Sequence, residues 1–310
     1  MHKLCRPAAL PMRDGVSASC VALPSQGDGL VLDFLAVRLP RVSRADWLQR
    51  MQAGDVVDEH GQPALPGRAF EPGLRLFYYR SLTDEPQPPG RETVLYRDAH
   101  LLVADKPHFM PVTPSGRYLH HCLLVRLKKS LGLSELSPLH RIDRDTAGLV
   151  LFSVQQATRG TYQALFRERN IEKEYEAVAP LWRCGRLPAE RSSRMEESVQ
   201  FFRMHEVSGP PNSLTHIELM EASAYWARYR LRPVTGKRHQ LRVHMAALGL
   251  PLRNDAFYPE LDDPPEGDWS RPLQLLARSL TFSDPLTGQT RVFASQRTLL
   301  PLTDLEADDA

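Results

Sequence analysis

Two carboxylates and two guanidiniums crowd one short stretch: His140, Arg141, Ile142, Asp143, Arg144, Asp145, Thr146, Ala147 and Gly148. An apolar run without polar alternation, Leu149, Val150, Leu151 and Phe152, follows directly and predicts a buried strand. A turn at the mouth of a core strand is a common place for chemistry, because the scaffold fixes it while substrate still reaches it. A carboxylate among cations is held charged and oriented, which suits nucleophilic attack or proton removal. The same composition also describes a solvated turn with local ion pairs, and composition alone favours that plainer reading.

A second chemistry-bearing stretch is PVTGKRHQLRVHMAALGLPLRNDAFY, residues 233–258. Thr235 and Gly236 predict a turn, and 238–248 a helix ending at Gly249. Arg238 and Arg242, four apart, would share a helical face, with Leu241, Met245 and Leu248 on the core side. His239 and His244 are five apart, so the H-x-x-x-H zinc spacing is absent. A third stretch, IEKEYEAVA, predicts a strand with Tyr175, Ala177 and Ala179 on one face. A tyrosine among small residues leaves room for a flat ligand against its ring, although a core or edge tyrosine is the default reading.

The elements that must position these groups divide the chain. Residues 1–29 are rich in Pro, Gly and Ser and read as an arm. Over 30–80, Leu32, Phe34, Leu35 and Leu39 predict a short helix closed by Pro40, and Ser43 caps a second carrying Trp47, Leu48 and Met51. Val56 and Val57 start a strand, and Leu74, Leu76 and Tyr78 alternate as an edge strand. Arg38, Arg41, Arg44 and Arg50 are either a phosphate-binding face or an ordinary solvated one. Residues 81–91, with three prolines, read as a linker, and 92–310 as the main domain. There, 93–96 and 101–104 predict strands, 118–131 an amphipathic helix and 158–169 another. Residues 183–215 read as irregular. Residues 224–232 alternate, with Trp226, Arg228, Arg230 and Arg232 on one face as a solvated edge or a phosphate track.

A formal net charge of only +2, from 39 basic and 37 acidic side chains, means that any nucleic-acid contact must come from local clusters. Hydrophobic content of 42% and charged content of 25% are those of a globular protein. The four cysteines, Cys5, Cys20, Cys122 and Cys184, form no C-x-x-C pair. A zinc site and a disulfide framework are therefore not expected, and a reducing compartment is. No apolar run reaches membrane-span length and the N-terminus lacks an apolar signal core, so a cytoplasmic protein without a membrane partner is expected.

The string LHRIDRDTAGL resembles the H-R-[LI]-D-x-x-T-[SA]-G-L signature of the RluA-type pseudouridine synthases. Further stretches agree in order. VADKPHFMPVTPSG resembles the D-K-P-x-G segment, with Phe109 where the family commonly has glycine. Lys173 and Tyr175 match K-x-Y. TGKRHQLRVH matches T-G-[RK]-x-H-Q-[LI]-R-x-H, continued by G-x-P and D-x-x-Y. The closing LQLLARSLTF resembles L-x-L-H-A-x-x-L-x-F, with Leu276 for the histidine. The resemblance covers residues 92–288.

It implies an α+β pseudouridine synthase fold: a bent, mixed, mostly antiparallel sheet with flanking helices and a central cleft. A small N-terminal S4-like α/β module, which often precedes this domain, would occupy 30–80. Asp143 is carried over as the catalytic aspartate, Arg242 as its partner, and Tyr175 as the ring that stacks on uracil and, directly or through water, takes the C5 proton. Arg141 would fill the space left by a flipped-out base. His140, Thr146, Lys106, Lys173, Arg238 and His239 are expected to contact RNA, with Lys106 also read as a loop anchor. Isomerising uridine needs no metal, nucleotide or redox equivalent, so no cofactor is expected. The partner would be ribosomal RNA or tRNA, not DNA, and the protein a monomer. Two other classes compete: a non-catalytic RNA-binding or ribosome-assembly factor on the same fold, and a glycosidase-like hydrolase using Asp143 and Asp145 as a pair.

Overall fold

A computed structural model describes residues 12–308 except 41, 81, 83, 201, 263 and 266. Arg41 and the first eleven residues of the arm thus lie outside the described residues. The chain forms two compact units, Met1–Glu85 and Pro86–Ala310, and the division falls inside the stretch read as a linker.

The first unit contains β1 (Ser19–Ala22), α1 (Val31–Arg38), α2 (Arg44–Gln52), β2 (Val56–Asp58) and β3 (Arg75–Tyr78). Ser43 caps α2 as its position predicts, its hydroxyl accepting the Asp46 amide at 3.1 Å. Two expectations change. Residues 19–22 are not arm but strand, and β3 is not an edge: the sheet order is β1-β3-β2. Leu76 and Tyr78 are buried with Val31, Leu35, Trp47 and Met51, so β3 is the spine of this unit. The pairing was hidden because β1, Ser-Cys-Val-Ala, is short and weakly apolar.

The second unit begins with β4 (Thr93–Arg97), β5 (Leu101–Lys106), α3 (Leu123–Leu131), β6 (Ser137–Pro138) and β7 (Ala147–Ser153). It continues with α4 (Gln156–Arg167), β8 (Glu172–Pro180), β9 (Glu190–Glu197), β10 (Met204–Val207), β11 (Ser213–Ala222) and β12 (Trp226–Pro233). Then come α5 (Gln240–Ala247), β13 (Leu275–Ser283), β14 (Thr290–Ala294) and α6 (Leu302–Asp308). The strands form one sheet of order β10-β9-β11-β12-β8-β13-β7-β5-β4, with β14 on β13 and β6 on β7. All pairs are antiparallel except β13 with β7.

Every residue of β7 is buried. Leu149 and Leu151 pack with Tyr162 and Leu165 of α4, while Val150 and Phe152 pack with Leu123 and Leu127 of α3 on the other face. Period-2 alternation thus feeds two cores from one strand, each large apolar side chain contributing about 1.5–3 kcal/mol. The turn 140–146 is clamped at the entry to this strand. Helix α3 starts five residues later than the sequence pattern implies, after an isolated bridge between Ser115 and Tyr118.

The segment 183–215, read as irregular, instead supplies β9, β10 and the start of β11. Only Ser193 and Met195 of β9 are buried, so the strand carries no apolar alternation to see. The arginine face of β12 is not an open phosphate track. Arg228 pairs with Glu221 at 2.7 Å, and Arg230 with Glu218 at 3.0 Å and Glu174 at 3.2 Å, so its charge is already balanced. Leu276 lies in an apolar cluster with Leu299, Leu302 and Leu305, which accounts for an aliphatic residue there.

Gly148 has φ +108, and a Cβ on it would lie 2.3 Å from the carbonyl oxygen of Ala277, across the parallel β7–β13 contact. Gly148→Ala should lower stability by at least about 2 kcal/mol, measured as a drop in the urea midpoint.

Candidate active site

The turn between β6 and β7 is held from below by the segment that ends β5. Lys106 is fully buried, and its ammonium donates to the carbonyls of Pro107 and Arg144, both at 2.9 Å. Burial pulls its pKa down to about 7, against the opposing pull of Asp145 and Asp143. His108 Nδ1 lies 2.7 Å from the Asp145 carbonyl, which can only accept, so that nitrogen is assigned the proton. The D-K-P segment is therefore a strut for the turn that carries Asp143. This corrects Lys106 as an RNA contact: a side chain without exposed surface cannot reach a phosphate, and the loop-anchoring reading holds.

Asp143 sits on this turn at the floor of a cleft of about 1080 Å³. Its carboxylate lies 3.5 Å from Nη1 of Arg242 and 3.9 Å from Nε2 of His239. Arg242 is 1% exposed and is gripped by Asp255, with Nε to Oδ2 at 2.8 Å and Nη2 to Oδ1 at 2.5 Å. Burial works against the Arg242 charge, but the Asp255 pair and then Asp143 outweigh it and raise its pKa. Nη1 is buried without a hydrogen bond and faces Asp143. The grip of Asp255 fixes the guanidinium plane, and the free edge is what Asp143 meets.

Asp255 went unread as a functional residue in the sequence, although it opens the D-x-x-Y run. Its Oδ1 also accepts the amides of Phe257 and Tyr258. Gln240 is the second residue missed. Its Oε1 accepts from Thr235 Oγ1 and the Lys237 amide, and its Nε2 donates to the Leu214 carbonyl, stitching the turn to the start of α5.

Arg238 and Arg242 do not share a helical face. Helix α5 starts at Gln240 and His239 precedes it at φ +55, so Arg238 lies outside, 39% exposed at the cleft rim near Glu197. The Tyr258 hydroxyl accepts the Met204 amide at 2.8 Å and lies 2.9 Å from His239 Nδ1. Its one proton is thereby assigned to Nδ1, leaving Nε2–H directed at Asp143. Burial lowers the His239 pKa, opposed by Asp143.

Tyr175 lines the same cleft. Burial, and then the charge of Asp143, raises its pKa. The phenol therefore holds its proton more tightly than a free tyrosine, and its ring forms one wall of the cleft. Lys173 lines the cleft with its ammonium on the Thr235 carbonyl at 3.2 Å, and burial lowers its pKa. Arg141 is exposed at the cleft mouth. Thr146 is 2% exposed, which makes it packing more than contact surface.

His140 is half-buried and lines the same cleft. Its Nε2 accepts the Leu151 amide at 3.1 Å, and its ring stacks on Phe166 at 4.6 Å. Burial, with Lys173 adding to it, pushes its pKa down to about 3. Asp145 does not face the cleft as a second catalytic carboxylate: it is 8% exposed, bound by Arg144 at 2.8 Å, and lines a separate cavity. That removes the geometry a carboxylate-pair hydrolase needs.

The sequence model of the family described as RNA pseudouridylate synthase matches residues 100–247. An uncharacterized RNA pseudouridine synthase of Synechocystis is 31% identical over 74% of this chain and 79% of its own length. The dual-specificity RNA pseudouridine synthase RluA of Escherichia coli is 33% identical over 67% of this chain and 94% of its own. Among solved structures, human RNA pseudouridylate synthase domain containing 1 superposes with a TM-score of 0.54 at 22% identity. It covers 72% of this chain and 97% of its own, a likeness of fold.

Two outcomes follow from these contacts. Asp255→Asn should destabilise the protein by about 3 kcal/mol in thermal unfolding, because it leaves a buried guanidinium without its main counter-charge. The unfolded state binds a proton on His140 below about pH 6.5 and the folded state does not until about pH 3. Stability therefore falls as pH drops through that window. His140→Gln keeps an acceptor but cannot protonate. It should lose about 2–3 kcal/mol less than the parent between pH 7 and pH 4, read from denaturant midpoints.

Proposed function

The chain belongs to the RluA-type RNA pseudouridine synthase family and is an isomerase of that class, and from that premise we propose that it converts one specific uridine in a structured RNA. Large-subunit ribosomal RNA is the first substrate reading. What supports it is the small unit, whose two helices and three short strands follow the S4-like pattern. A tRNA is the second reading, favoured by the dual-specificity name that the RluA relatives carry.

The observation that carries the proposal is the Asp143–Arg242–Asp255 line at the floor of the cleft. In this reading the target nucleotide leaves its stack, at a cost of a few kcal/mol, and Arg141 takes the vacated place. Uracil lies against the ring of Tyr175. The Asp143 carboxylate either attacks C1′ or removes a proton from C2′, and the N1–C1′ bond breaks. The base turns and C5 bonds to C1′ as the Asp143 ester bond breaks or the C2′ proton is returned; the C5 proton departs and N1 gains one, so the net change is an isomerisation. Tyr175 relays the C5 proton, directly or through water: its oxygen takes that proton as its own passes on through solvent towards N1, so no net proton stays on the enzyme. Arg242 presents a fixed counter-charge to the Asp143 carboxylate. A binding-only role on the same fold is disfavoured, because Asp143, Tyr175 and Arg242 are all present and meet in one cleft.

Pseudouridine mapping of total RNA from cells with and without the gene should show loss of one ribosomal or transfer RNA site. Asp143→Asn, tested with purified protein on that RNA, should lower turnover by at least about a thousandfold while RNA binding persists. Turnover retained in Asp143→Asn but lost in Asp145→Asn would overturn the assignment.

A further inference from the structure

Behind the catalytic turn, on the side of Arg144 and Asp145, lies a second cavity of about 300 Å³. It shares Arg144 and Arg242 with the cleft of Asp143, so the turn is a partition between two adjacent chambers. A volume at the lower end of small-ligand clefts admits one flat ring.

Its aromatic wall is formed by Phe109 and Trp269. Phe109 stands where the family commonly has glycine, and it adopts φ +64, a conformation that glycine takes freely and a bulky residue does not. Its half-buried ring packs on that of Trp269, with centroids 5.1 Å apart and planes at 55°. A large ring at a position strained for it, facing a cavity, is not needed by the local backbone.

The charges in the lining discriminate between ligands. Asp145 is tied to Arg144 at 2.8 Å, and Asp262 to Arg271 at 3.0 Å. Arg242 is committed to Asp255. With Arg117 and Asp268 also in the lining, four arginines stand against three aspartates, and Asp255 behind Arg242 evens the count, so no excess positive charge is left for an isolated phosphate. The lining suits an uncharged aromatic ring stacked on Phe109 or Trp269, with the exposed Arg271–Asp262 pair, of small intrinsic worth, free to re-pair with a backbone phosphate at the rim.

We propose that this cavity is a stacking subsite for an unpaired nucleobase flanking the target uridine, held by Phe109 and Trp269. The inference rests on the reading of this protein as an enzyme acting on RNA. Its effect would be to grip a second nucleotide of the same strand while the first is in the cleft, because base–aromatic stacking is strong and tolerant of sequence.

The test uses the full chain and three fluorescently labelled single strands of equal length: hepta-uridylate, hepta-adenylate, and an abasic ribose-phosphate strand. Phe109→Gly relieves the positive φ, so its unfolding midpoint should match or exceed the parent's; Trp269→Ala is the second variant. Each should weaken binding of the base-bearing strands roughly tenfold and leave the abasic strand unaffected. The proposal is overturned if both folded variants bind the base-bearing strands like the parent, or if they lose the abasic strand equally. Pseudouridine formation by the parent chain reports on the enzymatic reading separately. If it fails while base-dependent binding is still lost in the variants, the subsite stands and the activity does not. If pseudouridine forms and the variants bind normally, the subsite alone falls.

Discussion

A guanidinium taken out of water costs several kcal/mol unless its donors and its charge are met. Arg242 meets that cost mainly through Asp255, whose two oxygens take Nε and Nη2. Phe257 and Tyr258 lie beside the guanidinium, its carbon 4.9 and 5.4 Å from their ring centroids. One edge is left, and it faces Asp143. The rest of the site depends on that arrangement: without Asp255 the guanidinium has no fixed plane, and without a fixed plane Asp143 has no fixed partner. The 3.5 Å separation between Asp143 and Nη1 is long for a charge-assisted bond. Catalytic contacts often tighten only when substrate closes the site.

The other half of the pair is fixed by the backbone. Asp143 lies on a turn whose carbonyls are caught by Lys106 and His108. Its exit strand β7 is buried on both faces. Gly148 permits β13 to approach that strand at the point where the turn ends. Two stretches far apart in the chain, 105–108 and 140–148, thus form one rigid piece. Charges elsewhere on the sheet are consumed internally: the β12 arginines meet glutamates from β8 and β11. Basic side chains are also exposed at the cleft mouth and rim, Arg141 and Arg238 among them. This agrees with a chain whose net charge is only +2.

The sequence by itself marked out the candidate reacting group and its setting. A charged turn ahead of Leu149–Phe152 is legible because burial on both faces leaves an unbroken apolar run, and Ser43 marks the start of α2 because capping is a local hydrogen bond. The family motifs named Asp143, Tyr175 and Arg242, and the tertiary structure brings them into one cleft. The tertiary structure alone decided the roles that depend on who stands opposite. Lys106 looks like an RNA ligand in one dimension, but burial makes it a loop strut, while the half-buried His140 also braces strand β7. Asp255 looks like one acidic residue among many until Arg242 closes on it. The polar strand β9 looks like loop because its partners, β10 and β11, supply its hydrogen bonds while no apolar pattern announces it. Local signals write capping, periodicity and turn chemistry into the chain; burial and charge pairing are properties of the neighbours, and only folding supplies the neighbours.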